Sequence, residues 1–294
     1  YNITFNFQEI NTVELLTYGI FVLGGGASAI LVSKVDMMMI GKLMDLKHVA
    51  YYTIAFFIGN VILVPARSVG SITAPLLSKA WEKEDINEIN DIYKKSSINQ
   101  LLFGGLLFLV IWLNIDEGLS LLPEKFQGGK YVVLYIALSK LFSVATGVNG
   151  QIIVNSKYYR FDLYSNIILL FITIVSNYIF IPESSPLYEY DIFGINGAAF
   201  ATAFSVILFN TFKLIFVKVK VGIHPFSFNT VKAIALISIT FYIVTSIVFL
   251  DNLILSLTYK SFLIFLIYVP LMLILNISQD INNIVSEIWI KLRR

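Results

Sequence analysis

Residues 163–181 read LYSNIILLFITIVSNYIFI, a run without one charged side chain. At about 1.5 Å of rise per residue, a helix of this length nearly covers the roughly 30 Å hydrocarbon core of a bilayer. Lipid offers no partner to backbone N–H and C=O groups, so a segment that enters it must satisfy them internally, as a helix. Seven more stretches of the same kind flank it, near residues 14–33, 49–71, 98–114, 131–154, 197–217, 230–250 and 259–277. The 294 residues are 57% hydrophobic and 14% charged, with a mean hydropathy of +0.79, whereas about 25% of residues in soluble domains are charged. These features predict an all-α fold: a polytopic membrane helix bundle of about eight transmembrane helices, with residues 1–294 forming one transmembrane domain.

Composition excludes several chemistries. With no cysteine, disulfides, thiolate zinc sites and a cysteine nucleophile are ruled out. A net charge of +2, with no basic stripe, argues against a nucleic-acid partner. Glu9 and Glu14 precede the first apolar stretch in place of a basic segment, so no cleavable secretory signal is recognisable. Lysine and arginine near span ends are retained on the cytoplasmic side. One face of the expected topology carries Lys79, Lys83, Lys94, Lys95, Lys157, Arg160, Lys213, Lys218, Lys220, Lys232, Lys291, Arg293 and Arg294, which is 13. The other carries Lys34, Lys42, Lys47, Lys125, Lys130 and Lys260, which is 6. This imbalance places both chain ends in the cytoplasm and the loop at 182–196 outside.

Between the second and third spans, Ile86, Ile89, Ile92 and Tyr93 recur at helical spacing among charged residues from Ala80 to Ser96. The pattern predicts an amphipathic helix resting on the cytoplasmic headgroups. Gly24, Gly25, Gly26, Gly147, Gly150, Gly194 and Gly197 lie within or at the start of spans, where small residues let helices approach closely. The run Gly24 to Gly26 is also a candidate hinge, and Pro65 in the second span is expected to kink it. Tyr158, Tyr159, Tyr188, Tyr190 and Trp289 fall near span ends, as interfacial belt residues do.

Cations inside a span cost about 2.5–3.5 kcal/mol on insertion scales and require a partner or a wet cavity. Arg67, beside Pro65, and Lys140, near the middle of the fourth span, are the two candidates. A guanidinium there suits an anion such as phosphate; the alternative is that Arg67 snorkels to headgroups or pairs with a carboxylate. Lys140 stands too far from either predicted end to snorkel and is expected to face a cavity. Asp36, at the outer end of the first predicted span, is read as a coupling or gating residue that takes up a proton or ion, as the partner of a basic residue, or as an exposed loop acid beside Lys34. No metal site is expected: Asp116 and Glu117 have no third ligand nearby, and His48 and His224 fall on opposite sides of the membrane. No phosphate-binding glycine loop and no serine elbow occurs, so an enzyme is not expected.

The segments Val35-Asp36-Met37-Met38-Met39-Ile40-Gly41-Lys42, Ala50-Tyr51-Tyr52-Thr53-Ile54-Ala55, Pro65-Ala66-Arg67 and Pro75-Leu76-Leu77-Ser78 precede an acidic and basic helix ending near Tyr93. In their order and spacing the chain, from residue 15 to about 165, resembles the second half of a polysaccharide flippase, an O-antigen or oligosaccharide-lipid translocase. Such flippases belong to the multidrug/oligosaccharidyl-lipid/polysaccharide exporter superfamily. Ala50 departs from the pattern, standing where the family often has glycine. The resemblance implies two six-helix bundles around a cavity, with two added helices in some members. The eight spans then correspond to helices seven to fourteen: a six-helix bundle at 14–217, and two further helices with a cytoplasmic tail at 218–294. The partner implied is a first bundle absent from this chain, which begins at Tyr1.

The resemblance further implies a bacterial inner membrane location and movement of a polyprenyl-pyrophosphate-linked oligosaccharide for surface polysaccharide such as lipopolysaccharide. No cofactor is implied, and Arg67 and Lys140 would receive the pyrophosphate. A multidrug exporter of the same superfamily and a polytopic glycosyltransferase or polymerase are the competing classes. If half a cavity cannot transport, the isolated 294-residue chain reconstituted in vesicles will not move a lipid-linked oligosaccharide. Transport by it alone in a flipping assay would overturn that expectation.

Overall fold

The computed structural model describes residues 12–247 and 252–292. Glu9, Arg293, Arg294 and the last three positions of the expected span at 230–250 lie outside the described residues, as do the side chains of Glu14 and Trp289. Helices joined by short loops make up the described residues, and no strand occurs among them. The helices are α1 (Thr12–Leu43), α2 (Leu46–Asn60), α3 (Val64–Glu82), α4 (Ile86–Leu113), α5 (Ile115–Ser120) and α6 (Lys130–Ala145). They continue with α7 (Asn149–Val154), α8 (Arg160–Phe180), α9 (Gly194–Val221), α10 (Phe228–Thr245), α11 (Leu253–Ile274) and α12 (Gln279–Leu292). Eight spans among the described residues are long and apolar enough to cross a membrane.

Several boundaries differ from expectation, each for a physical reason. The first span runs on to Leu43, because Lys34 and Asp36 are accommodated within the helix and do not end it. The second is 37 residues long and is interrupted by a tight turn at Val61–Leu63. Pro65 therefore sits in the first turn of α3, where its missing N–H costs no helical bond; the break precedes the proline instead of bending around it. The fourth span stops at Ala145, and Gly147 takes the left-handed conformation (φ 62°) against the Ser97 backbone before α7 begins.

The segment at 80–96 is not a separate surface helix. Ala80 to Glu82 close α3, and α4 starts after Asp85, whose carboxylate accepts the Glu88 N–H at 3.0 Å. From there α4 continues unbroken into the third span. Ile89 and Tyr93 are fully buried against Leu77, Ala80, Ile152 and Val217, so this part of the apolar stripe meets protein, whereas Ile86 is exposed.

Two of the four apolar clusters among the described residues join most of the spans. One joins α1, α2, α6 and α9 through Ile40, Tyr52, Val133 and Ala198. The other sets α10 and α11 on α4 through Leu102, Leu109, Leu236 and Tyr268, whose hydroxyl donates to the Leu102 carbonyl at 2.8 Å. An ion pair from Lys260 on α11 to Glu117 on α5 closes the same contact, and Ser256 adds a hydrogen bond to that carboxylate at 3.0 Å. Burial opposes the charge of Glu117, yet the bonds from Lys260 and Ser256 hold its carboxyl below the ordinary carboxylate range.

Glycine is indispensable where α8 turns back toward α9. A Cβ on Gly197 would overlap the Phe180 carbonyl, and backbone cannot yield as a flexible side chain can. Gly197→Ala is expected to lower stability by about 1–3 kcal/mol or more. Gly26→Ala, which meets nothing within 4 Å, is expected to leave stability equal or higher. Thermal unfolding of the purified variants in detergent checks the contrast; equal losses would refute it.

Candidate functional site

The break between α2 and α3 leaves Asn60 and Arg67 beside a cavity of about 470 Å³. Lys34 and Asp36 reach it from α1, Lys140 and Ser143 from α6, Asn166 from α8, and Thr202 and Asn210 from α9. The two cations singled out from sequence are thus brought to one cavity from different helices. Arg67 is exposed, and no hydrogen bond or ion pair engages it among the described residues. Lys140 is half-buried with its Nζ 5.8 Å from the centroid of the Phe56 ring, near the outer limit of a cation–π contact. It feels attraction from Asp36 and repulsion from Arg67 across the cavity.

Asp36 is not a loop acid: it is 2% exposed. Its Oδ2 accepts from the Tyr52 hydroxyl at 2.7 Å and the Thr202 hydroxyl at 2.5 Å, and its Oδ1 accepts from the Asn177 amide at 2.8 Å. One carboxylate thereby joins α1, α2, α8 and α9. As one acid against three cations, it offsets only part of the positive field of Lys34, Arg67 and Lys140. Polar groups also line the α6–α9 wall, where Asn210 donates to the Ser143 hydroxyl at 3.1 Å and accepts from Thr146 at 3.3 Å.

The candidate hinge residues Gly24, Gly25 and Gly26 on α1, and Pro65 on α3, do not line this cavity. Helix α1 passes through Gly24, Gly25 and Gly26 without a break. Gly24 lies against Leu163, and a Cβ on Gly25 would come 2.8 Å from the Asp162 carboxylate. The first two therefore bring α1 close to α8.

Sequence reasoning missed a second buried ion pair. Lys213, counted among the basic residues of the cytoplasmic face near the end of the expected span 197–217, is buried within α9, which extends to Val221. Its Nζ lies 2.7 Å from Asp162 Oδ1 on α8 and 4.3 Å from the Phe209 ring centroid. Lys260, assigned to an outer loop, is likewise buried in α11, and Lys34 lines the cavity. Removing these three leaves the tally of basic residues at 12 against 4 without changing its direction. Asp116 and Glu117 are separate ion-pair partners, of Lys130 at 2.7 Å and of Lys260.

A family model described as MatE matches residues 26–179, slightly more than half of the chain. The chain belongs to the MatE family. It is accordingly a multi-pass membrane protein of the exporter superfamily that includes multidrug exporters and polysaccharide flippases. No curated protein and no solved structure matches it. The MatE match spans α1 to α8 and so takes in Lys34, Asp36, Arg67, Lys140 and Asp162, whereas Lys213 falls beyond it.

Breaking a buried pair strands a charge and costs roughly 3–5 kcal/mol. Lys213→Ala is expected to destabilise by about that much, and Asp162→Ala with Lys213→Ala together by clearly less than the two single losses combined. Equilibrium unfolding of all three variants in mixed micelles measures the coupling; strict additivity would show that the pair does not hold α8 to α9.

Proposed function

We propose that this MatE chain forms one wall of a flippase that moves a polyprenyl-pyrophosphate-linked oligosaccharide across the bacterial inner membrane for surface polysaccharide synthesis. The observation that carries this is the convergence of Arg67 and Lys140, with Lys34, on one cavity whose single acid already accepts three hydrogen bonds. A pyrophosphate brings several anionic oxygens, and charge-assisted bonds to them in a partly dry site exceed neutral ones in strength. The sugars remain in water and the isoprenoid tail in lipid. Both chain ends lie in the cytoplasm in this proposal, and a second helix bundle supplies the opposite wall, with α10 and α11 as helices added to the six-helix unit.

Asp36 is the candidate coupling residue. A proton or ion arriving there would displace donors on α2, α8 and α9 at once, and so bear on how the bundle closes. Gly24 to Gly26 and the turn before Pro65 are the candidate hinges for the rocking motion. No enzyme step, cofactor or metal is required. An organic-cation exporter would instead need free acidic groups in the cavity, and Asp36 is committed to its donors.

Replacing Arg67 and Lys140 together with glutamine in the complete transporter is expected to reduce export of the lipid-linked glycan by about ten- to a hundredfold, from the roughly 1.5–3 kcal/mol of a charged hydrogen bond. Surface display of the polysaccharide, with the variant's membrane abundance matched to the parent, reads the effect. Undiminished display would remove the pyrophosphate role, and a selective loss of resistance to cationic drugs would favour the multidrug alternative.

A further inference from the structure

A second hollow, of about 380 Å³, follows the seam of α8 and α9. Phe161, Ile168 and Ile172 face it from one helix and Phe212, Phe216 and Val219 from the other, and Ser165 and Lys220 are its only polar lining residues. It extends over twelve positions of each helix, Phe161 to Ile172 and Phe209 to Lys220, so that eleven steps give about 16 Å of helical rise. Half of a bilayer's hydrocarbon core is about 15 Å. The groove thus reaches from the interface to the midplane, the depth of a single leaflet.

At the interfacial end Lys220 also enters the wall of a polar pocket of about 590 Å³. Lys157, Glu82 and Glu84 stand around that pocket, and all four charged side chains are exposed. The buried indole N–H of Trp81, in the same pocket, finds no acceptor among the described residues. Glu84 occupies a left-handed position (φ 53°) that closes α3 with the Asp85 N–H on the Ala80 carbonyl at 3.0 Å. Glycine is the residue such a cap favours, so the carboxylate stands there at a conformational cost. Tyr158 and Phe216, in edge contact at 5.6 Å, bridge the polar pocket and the apolar groove.

We propose that groove and pocket together bind one glycerophospholipid with an amine-bearing headgroup. One acyl chain lies along α8 and α9, the phosphate sits between Lys157 and Lys220, and the ammonium faces Glu82 and Glu84. Charge decides the headgroup: two cations alone would suit any phosphate, whereas two cations beside two carboxylates complement a zwitterion. Length decides the lipid: a groove one leaflet deep accepts an ordinary acyl chain. In the orientation expected from the basic residues, this is the cytoplasmic leaflet.

The test uses the whole chain in vesicles containing phosphatidylethanolamine with a diazirine on one acyl chain, or the matching phosphatidylglycerol probe, with crosslinks mapped by peptide mass spectrometry. The ethanolamine probe is expected to label 161–172 and 209–220 several-fold more than the exposed apolar faces of α1 and α11. K157Q with K220Q should lower that labelling about tenfold for both probes, and E82Q with E84Q should reduce the ethanolamine probe to the level of the glycerol probe. A groove-filling Ile168→Trp should suppress labelling by blocking the chain while leaving the headgroup residues intact. Labelling spread evenly over the lipid-facing helices, or unchanged in K157Q with K220Q, overturns the site. Equal labelling by the two probes in the parent chain overturns the headgroup assignment.

Discussion

Four helices converge on the carboxylate of Asp36, and most of the bundle's internal geometry follows from holding it. An acid buried among apolar helices is tolerable only if its oxygens are met by donors. Tyr52, Asn177 and Thr202 can reach it only if α1 continues well past Lys34, α2 packs beside it, and α8 and α9 lie close together. That last approach needs Gly197 beneath the Phe180 carbonyl. Once these contacts are made, the acid is largely occupied by its neighbours, and the cavity next to it takes its character from Lys34, Arg67 and Lys140.

The first of two interruptions in the spans borders the same cavity. The tight turn at Val61–Leu63 separates Asn60 on α2 from Arg67 on α3, and both line the cavity. The left-handed turn at Gly147 ends α6 soon after Lys140 and lets α7 carry Gln151 to α3, where it donates to the Gly70 carbonyl at 2.9 Å and accepts from Thr73 at 2.8 Å. Irregular backbone at membrane depth persists where protein or a wet hollow satisfies it. Here both kinds of support are present.

The number of spans and the helical class were legible in the sequence because the solvent imposes them: apolar length is a direct consequence of bilayer thickness. Span ends were less legible, since charge reads as a terminus when its partner is unknown. Lys34 and Asp36 made the first span look finished ten residues early, and Lys213 and Lys260 looked like loop residues because Asp162 and Glu117 are 51 and 143 positions away. Opposite charges near the start of one span and the end of the next would have signalled the Asp162–Lys213 pair, because consecutive spans run antiparallel. Arg67 and Lys140 were found as lone cations in apolar runs, while Lys34 was hidden by a misplaced boundary. Periodicity revealed the stripe of Ile89 and Tyr93 but not what covers it, because a stripe facing lipid and one facing α3 have the same spacing.

The ion pair between α5 and α11 bears on how the chain is made. Lys260 lies seven residues into α11 and would hinder that segment from partitioning into lipid unaided. Ribosomal synthesis delivers Glu117 long before it, on the short helix that follows α4. The ammonium can therefore meet its counter-charge as it arrives, and the final hairpin assembles on a surface laid down earlier. Biogenesis in this order spares the last span the cost of an unpaired ammonium in lipid.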